Sequence, residues 1–156
     1  MRRALISLLL LSLLQTAVVT AAYASLGAKP SQFSSAQVRQ GARSLASADN
    51  GTTLNYSVTE TTLDTGTVVR EYADTAGSVF AVSWNGPFLP DLRTLLGEHF
   101  ATMTKEAGKH PKAGHSQLAV DNGDVVIVSS GHMRAYSGKA WIPGALPAGF
   151  STDSIE

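Results

Sequence analysis

Three polar side chains with complementary chemistry, His132, Arg134 and Tyr136, alternate along a stretch of strand-like sequence. Residues two apart in a β-strand project from the same face. Arginine offers a planar fork of donors, and histidine and tyrosine add more, so the three predict a binding site for an anionic group. The alternative interpretation is the wet face of a sheet that is covered on its other side. Met133 and Ala135 would then point towards a helix.

A second group of candidate residues is basic and lies between a predicted helix and the strand that follows it. This group would form a cationic loop for acidic envelope polymers or lipid head groups. The alternative is an ordinary solvated loop. The members are Lys105, Lys109, His110, Lys112 and His115.

The spacing of the candidate residues gives little support for a metal site or for a catalytic nucleophile. The chain has 4 histidines and no cysteine, so a zinc site would need three convergent histidines or carboxylates. His110 and His115 are separated by a proline and do not share a helix face. No Gly-x-Ser-x-Gly turn occurs, and Ala140 stands where a phosphate loop after Gly138-Lys139 needs Ser or Thr. We predict no catalytic residue, no metal and no cofactor.

The elements that position these residues follow from the hydrophobic pattern. From Leu54 the sequence alternates with a period of two, and short turns separate three strand-like runs, the last of which ends at Trp84 before Asn85-Gly86-Pro87. A helix is expected from Pro90 to about Gly108, with an apolar stripe at helical spacing and Gly97 inside it. Asn122-Gly123 between two further strand-like runs is a strong hairpin signal.

The predicted element order is β-β-β-α-β-β-β, an α+β domain in which one antiparallel sheet packs on one long helix. We place this single domain at residues 54–156. Residues 25–53 are rich in Ser, Ala, Gln and Gly and predict a flexible leader.

The first 24 residues have the layout of a secretory signal peptide. Arg2 and Arg3 precede a leucine-rich apolar run, and Ala22-Tyr23-Ala24 offers small residues at the cleavage positions. Cleavage after Ala24 would make the protein periplasmic or secreted. The alternative is an uncleaved anchor, because residues 4–24 carry no charge and are long enough to span a bilayer. A membrane partner is expected only in that case.

The balance of basic and acidic residues argues against nucleic acid as a partner. Removing Arg2 and Arg3 from 12 basic residues leaves 10, against 12 acidic residues. Nucleic-acid-binding domains are normally clearly basic, so no nucleic-acid partner is expected.

Several phrases together resemble a family of small exported bacterial proteins, the domain-of-unknown-function family 2844. They are Val69-Arg70-Glu71-Tyr72, Val79-Phe80-Ala81-Val82 and Gly131-His132-Met133-Arg134, with Leu95-Leu96-Gly97 and Pro147-Ala148-Gly149. The resemblance implies an exported protein without an assigned activity, and it brings no catalytic residues.

Three hypotheses for function follow. The first is a non-enzymatic exported protein that binds an envelope protein or an anionic envelope ligand. The second is a small periplasmic hydrolase or isomerase acting on envelope material, with His132 as acid–base and Arg134 holding an anion. The third is a structural accessory of a neighbouring exported protein.

Overall fold

The backbone forms one seven-stranded sheet with two helices inserted before the last three strands. A computed structural model describes residues 26–34, 38–49, 52–109 and 117–156, with the backbone alone for 38–55. The strands are β1 Val38–Asp49, β2 Thr52–Leu63, β3 Val68–Ala73, β4 Val79–Gly86, β5 Gln117–Asp121, β6 Val126–His132 and β7 Ala135–Trp141. The helices are α1 Leu92–Leu96 and α2 His99–Lys109.

All neighbouring strands are antiparallel, in the order β1-β2-β3-β4-β7-β6-β5. The α+β class and the β-β-β-α-β-β-β order are therefore confirmed, with β1 as an additional strand ahead of them. The Asn122-Gly123 hairpin is confirmed as well. Gly123 has φ 86, and Asn122 Oδ1 accepts from the Val125 N–H at 2.9 Å.

The helical segment differs from the single long helix that the sequence predicts. Gly97 adopts φ 54 and ψ −126, and its N–H donates to Arg93 O, which ends α1 before α2 begins. Asp91 caps α1 by accepting from the N–H groups of Arg93 and Thr94. The Thr94 hydroxyl also donates to Asp91 Oδ2 at 2.6 Å, and this bond lowers the pKa of the Asp91 carboxyl.

The segment before residue 54 also differs from the expected flexible leader. Leu26 is buried beside Val79, and main-chain hydrogen bonds join Leu26 to Leu95 and Gly27 to Val79. Further on, β1 pairs with β2 along most of its length, with three register shifts. Small and polar residues give a weak strand signal, but an exposed strand edge supplies hydrogen-bond partners to any backbone.

Two cores cover the two faces of the sheet. On the helix face, α1, α2 and Leu26 pack on residues that include Val82, Trp84 and Ile127. On the opposite face, which we call the tail face, the chain returns after β7 through two 3₁₀ turns, Pro143–Ala145 and Thr152–Ser154. There Phe150 packs edge-on against Phe80, with ring centroids 5.0 Å apart. The tail thereby covers one half of this face.

Candidate functional site

The predicted anion site at His132, Arg134 and Tyr136 is not one strand face. Met133 and Arg134 form a two-residue turn between β6 and β7, and His132 pairs with Ala135 across it. Paired residues share a face and neighbours alternate, so His132 lies on the tail face and Tyr136 on the helix face. Tyr136 packs over Gly131, where an added Cβ would lie 2.6 Å from its ring. Met133 is 96% exposed instead of facing a helix.

The predicted cationic loop is described only in part. Lys105 and Lys109 lie on α2 and are exposed, and Lys109 Nζ contacts Glu106 Oε1 at 2.6 Å. His110, Lys112 and His115 lie outside the described residues.

A cleft of about 240 Å³ opens on the uncovered half of the tail face. Its floor consists of polar residues that three adjacent strands bring together through their register: Ser83 pairs with Lys139, Asn85 with Ser137, and Ser137 with Ser130. Its apolar contribution comes from Val128 on β6 and from Ile155 in the tail. The cleft therefore combines polar side chains with a lining surface that is mostly apolar.

Lys139 supplies the cleft with a positive charge, and the acidic residue Glu156 lines the same cleft. Its ammonium donates to Thr152 O at 2.9 Å and lies 5.9 Å from the centroid of Trp141. Within the described part of the chain, no carboxylate forms an ion pair with it. A cation held only by a carbonyl and an aromatic ring can accept an anionic ligand.

The wall of the cleft is held by main-chain contacts of Glu156. Its oxygen accepts from the Ser83 hydroxyl and from Arg70 Nη1, the latter at 3.0 Å, while its N–H donates to Tyr72 Oη at 3.0 Å. Arg70 also pairs with Glu60 at 2.9 Å. Since the Glu156 side chain is exposed, this residue builds the wall mainly through its backbone.

Two hydroxyls at the centre of the cleft bind each other. Ser130 Oγ and Ser137 Oγ are 2.9 Å apart. His132, two residues from Ser130, projects from the same face, and no hydrogen bond joins it to either serine in the described structure. The arrangement offers hydrogen-bonding groups to a ligand, and it holds no assembled nucleophile–base pair.

A buried carboxyl lies on the other side of the sheet. Glu71 projects from the helix face and is fully buried. Ser31 N–H donates to its Oε1 at 2.8 Å, and its Oε2 has no hydrogen-bond partner among the described residues. Burial raises the pKa of the Glu71 carboxyl, and the hydrogen bonds from Ser31 offset part of that effect.

Because the folded-state pKa of Glu71 is raised, the folded protein binds this proton more tightly than the unfolded chain does. The contribution of Glu71 to stability should therefore be fully present below the unfolded pKa and be lost as pH rises through the folded pKa. We expect Glu71→Gln to raise the free energy of unfolding at neutral pH and to flatten this fall. Urea unfolding from pH 4 to pH 8 measures both effects, with the exposed Glu98→Gln as control. An unchanged pH profile in Glu71→Gln would contradict the prediction.

The cleft residues Ser83, Asn85, Ser130, Ser137 and Lys139 were missed in the sequence. The signal that could have found them is the alternation of Ser137 and Lys139 on β7. It becomes informative only when the turn before β7 is known, because that turn decides which face odd-numbered residues occupy.

The described ranges contain neither a membrane-spanning helix nor a cluster of metal ligands. Over these ranges no helix is both long and apolar enough to cross a membrane. In the same part of the chain, no three His, Asp or Glu side chains come together in a group that could hold a metal ion.

Comparison with known proteins identifies the family. No curated protein and no solved structure matches the chain. A family model described as a protein of unknown function, DUF2844, matches residues 22–155, and the chain therefore belongs to the DUF2844 family.

Proposed function

We propose that this chain is an exported, non-enzymatic envelope protein that binds an anionic ligand in the cleft of the tail face. The observation that supports this most is Lys139, whose charge faces the cleft beside hydrogen-bonding side chains and has no carboxylate partner in the described structure. A charge in such a position gains from an anion that completes its hydrogen bonds.

The size and lining of the cleft define the ligand class. Its volume of about 240 Å³ is below the ~300–1,000 Å³ of most drug-sized ligand sites. A single acidic sugar ring or the end of a short peptide would fill it. The serines and Asn85 offer both donors and acceptors, while Val128 and Ile155 offer apolar contact. The proposed ligand thus carries a carboxylate or phosphate next to hydroxyl or amide groups.

Replacing Lys139 with glutamine should weaken ligand binding at least tenfold, because a hydrogen bond to a charged group contributes about 1.5–3 kcal/mol. Isothermal titration calorimetry with galacturonate, N-acetylmuramate, D-alanyl-D-alanine and inorganic phosphate would measure this, with N-acetylglucosamine as the neutral comparison. Lys105→Gln removes a charge from exposed α2 and is the matched control.

A second variant separates binding from folding, since Lys139 also holds Thr152. Asn85→Ala leaves that contact in place and should weaken binding about threefold to tenfold, the loss of one neutral hydrogen bond. Failure of all four carboxylate or phosphate ligands to bind the parent protein at millimolar concentration would refute the proposed ligand class. Equal affinities for the parent and Lys139→Gln would refute the cleft as the site.

Export is the other half of the proposal, and it rests on the layout of the first 24 residues. Fractionation of producing bacteria, with mass spectrometry of the purified chain, should find a periplasmic or secreted protein that begins at Ser25. A chain that starts at Met1 and remains in the cytosol would refute export.

The position of His132 favours one alternative, a small hydrolase or isomerase. His132 lies two residues beyond Ser130 on the tail face that carries Ser130 and Ser137, although it does not line the cleft itself. Arg134 would hold an anionic group of that substrate. An activity on envelope material that His132→Ala abolishes in a folded protein would favour the enzyme over the binding protein.

A further inference from the structure

Three connections meet at one end of the sheet. They are the turn between β2 and β3, the loop that follows β4, and the turn between β6 and β7. Because the strands are antiparallel, β2, β4 and β6 end there, while β3 and β7 begin there. We call this end the loop edge, defined by Asp64, Phe88, Leu89, Met133 and Arg134.

The loop edge holds most of the large hydrophobic side chains that the described structure exposes. Phe88 is 52% exposed, Leu89 48% and Met133 96%, and Val128 in the cleft is the fourth such residue among those described. Scattered single hydrophobic residues are normal on a protein surface. Three of them together at one end of one sheet mark a contact surface.

The loop that carries Phe88 and Leu89 is held rigidly. Thr67 Oγ1 donates to Phe88 O at 2.6 Å, and the Phe88 N–H donates to Thr67 Oγ1 at 3.4 Å. An added Cβ at Gly86 would lie 2.4 Å from Thr67 Cα, so the backbones are in close contact. A surface that is already ordered loses less conformational entropy on binding.

The turn at Met133-Arg134 places Arg134 in a backbone conformation that arginine does not favour. Arg134 has φ 61, a conformation that costs about 1–2 kcal/mol for residues other than glycine, asparagine or aspartate. The hairpin at the opposite end of the sheet instead uses Asn122-Gly123, the favoured chemistry. Strain at such a position is typical of a residue with a function.

Opposite charges lie at the two sides of the loop edge. Asp64 lies in the turn between β2 and β3, and Arg134 in the turn between β7 and β6. The strand order places these turns three strand spacings apart, about 14 Å at ~4.8 Å per spacing, with the end of β4 midway between them. No ion pair to either residue is found among the described residues. The loop edge is therefore acidic at one side, apolar in the centre and basic at the other side.

We infer that the loop edge binds a second copy of this chain, related by a two-fold axis near the end of β4. A two-fold contact places the same patch against itself. Arg134 of each copy then faces Asp64 of the other, and the hydrophobic side chains meet at the centre. The acidic and basic sides of the loop edge are therefore complementary to those of a two-fold-related copy. A uniformly anionic lipid surface would meet Asp64 as well as Arg134 and would be repelled by Asp64.

Sedimentation velocity from about 1 µM to about 1 mM, the range of weak association, tests the inference. The sample is the protein as purified from the cells that produce it. The parent should dimerise. Arg134→Glu and Asp64→Arg should each weaken association at least tenfold, because each places like charges opposite one another twice. The double variant exchanges the charges and should recover association to within about threefold.

Two further variants keep the result interpretable. Met133→Ser should weaken association without any change in charge. Asp124→Arg reverses an exposed charge at the opposite hairpin and should leave association unchanged. A monomeric parent at every concentration would overturn the inference, as would a dimer that single reversals do not weaken or that the double reversal does not restore. A monomeric parent that binds phosphatidylcholine vesicles would assign the loop edge to a membrane instead.

Discussion

Replacing Gly138 with alanine is expected to lower the free energy of unfolding by about 3 kcal/mol, the upper part of the range for overpacking. Gly138 pairs with Trp84 across β7 and β4, and the buried indole lies over the glycine. A Cβ at this position would lie 2.2 Å from Trp84 Cζ2 and 2.7 Å from Val128 O. The ring and the neighbouring strand must both shift to admit it.

Chemical denaturation measures this loss, and Gly108→Ala is the matched control. Nothing lies within 4 Å of a Cβ at Gly108, and its helical position in α2 should give a gain of up to about 1 kcal/mol. Combining Gly138→Ala with Trp84→Val should cost less than the sum of the two single changes, because the smaller side chain leaves room. Strict additivity would show that the two residues do not compete for space.

A loss of about 3 kcal/mol is also expected when Leu26 is replaced with alanine, a typical cost for truncating a buried leucine. Leu26 is 2% exposed and packs in the core of the helix face. Its backbone bonds to Leu95 and forms a bridge to Val79, so the side chain fills space between α1 and β4. Leu26, two residues beyond the predicted cleavage position, thus belongs to the folded domain.

Leu89→Ala is the control for this change, since it removes the same atoms from a residue that is 48% exposed. Its effect on the free energy of unfolding at low protein concentration should stay within about 0.5 kcal/mol. Equal costs for the two truncations would contradict the burial of Leu26. A loss confined to Leu26→Ala would show that the N-terminal residues 26–34 are structural.

The sequence predicts those parts of the fold that depend on local chemistry. Asn122-Gly123 identifies its hairpin because Gly123 adopts the positive φ that such a pair predicts, and alternating side chains identify the strands around it. Gly97 was expected inside one helix. Its backbone conformation, set by packing of α1 and α2 against the sheet, ends α1 instead. Strand β1 depends on main-chain pairing with β2, which its small side chains do not encode.

The sequence predicts the candidate site less well than the fold, because it does not reveal the turn between β6 and β7. Met133-Arg134 lacks the glycine or asparagine that usually marks a two-residue turn, so the sequence predicts His132 and Tyr136 on one strand. The turn shifts the alternation and moves Ser137 and Lys139 to the face of Ser130. The wall of the cleft comes from Ile155 and Glu156, and only tertiary structure brings these residues to β4.

Strand β4 contacts residues near both ends of the described part of the chain. Val79 at its start bonds to Gly27 and Ala28, while Ser83 near its centre bonds to Glu156, which is 73 residues away in sequence. Contacts across such separations form late, since long loops must close first. A chain that emerges progressively from a ribosome or a translocation channel cannot complete this domain until Glu156 has emerged.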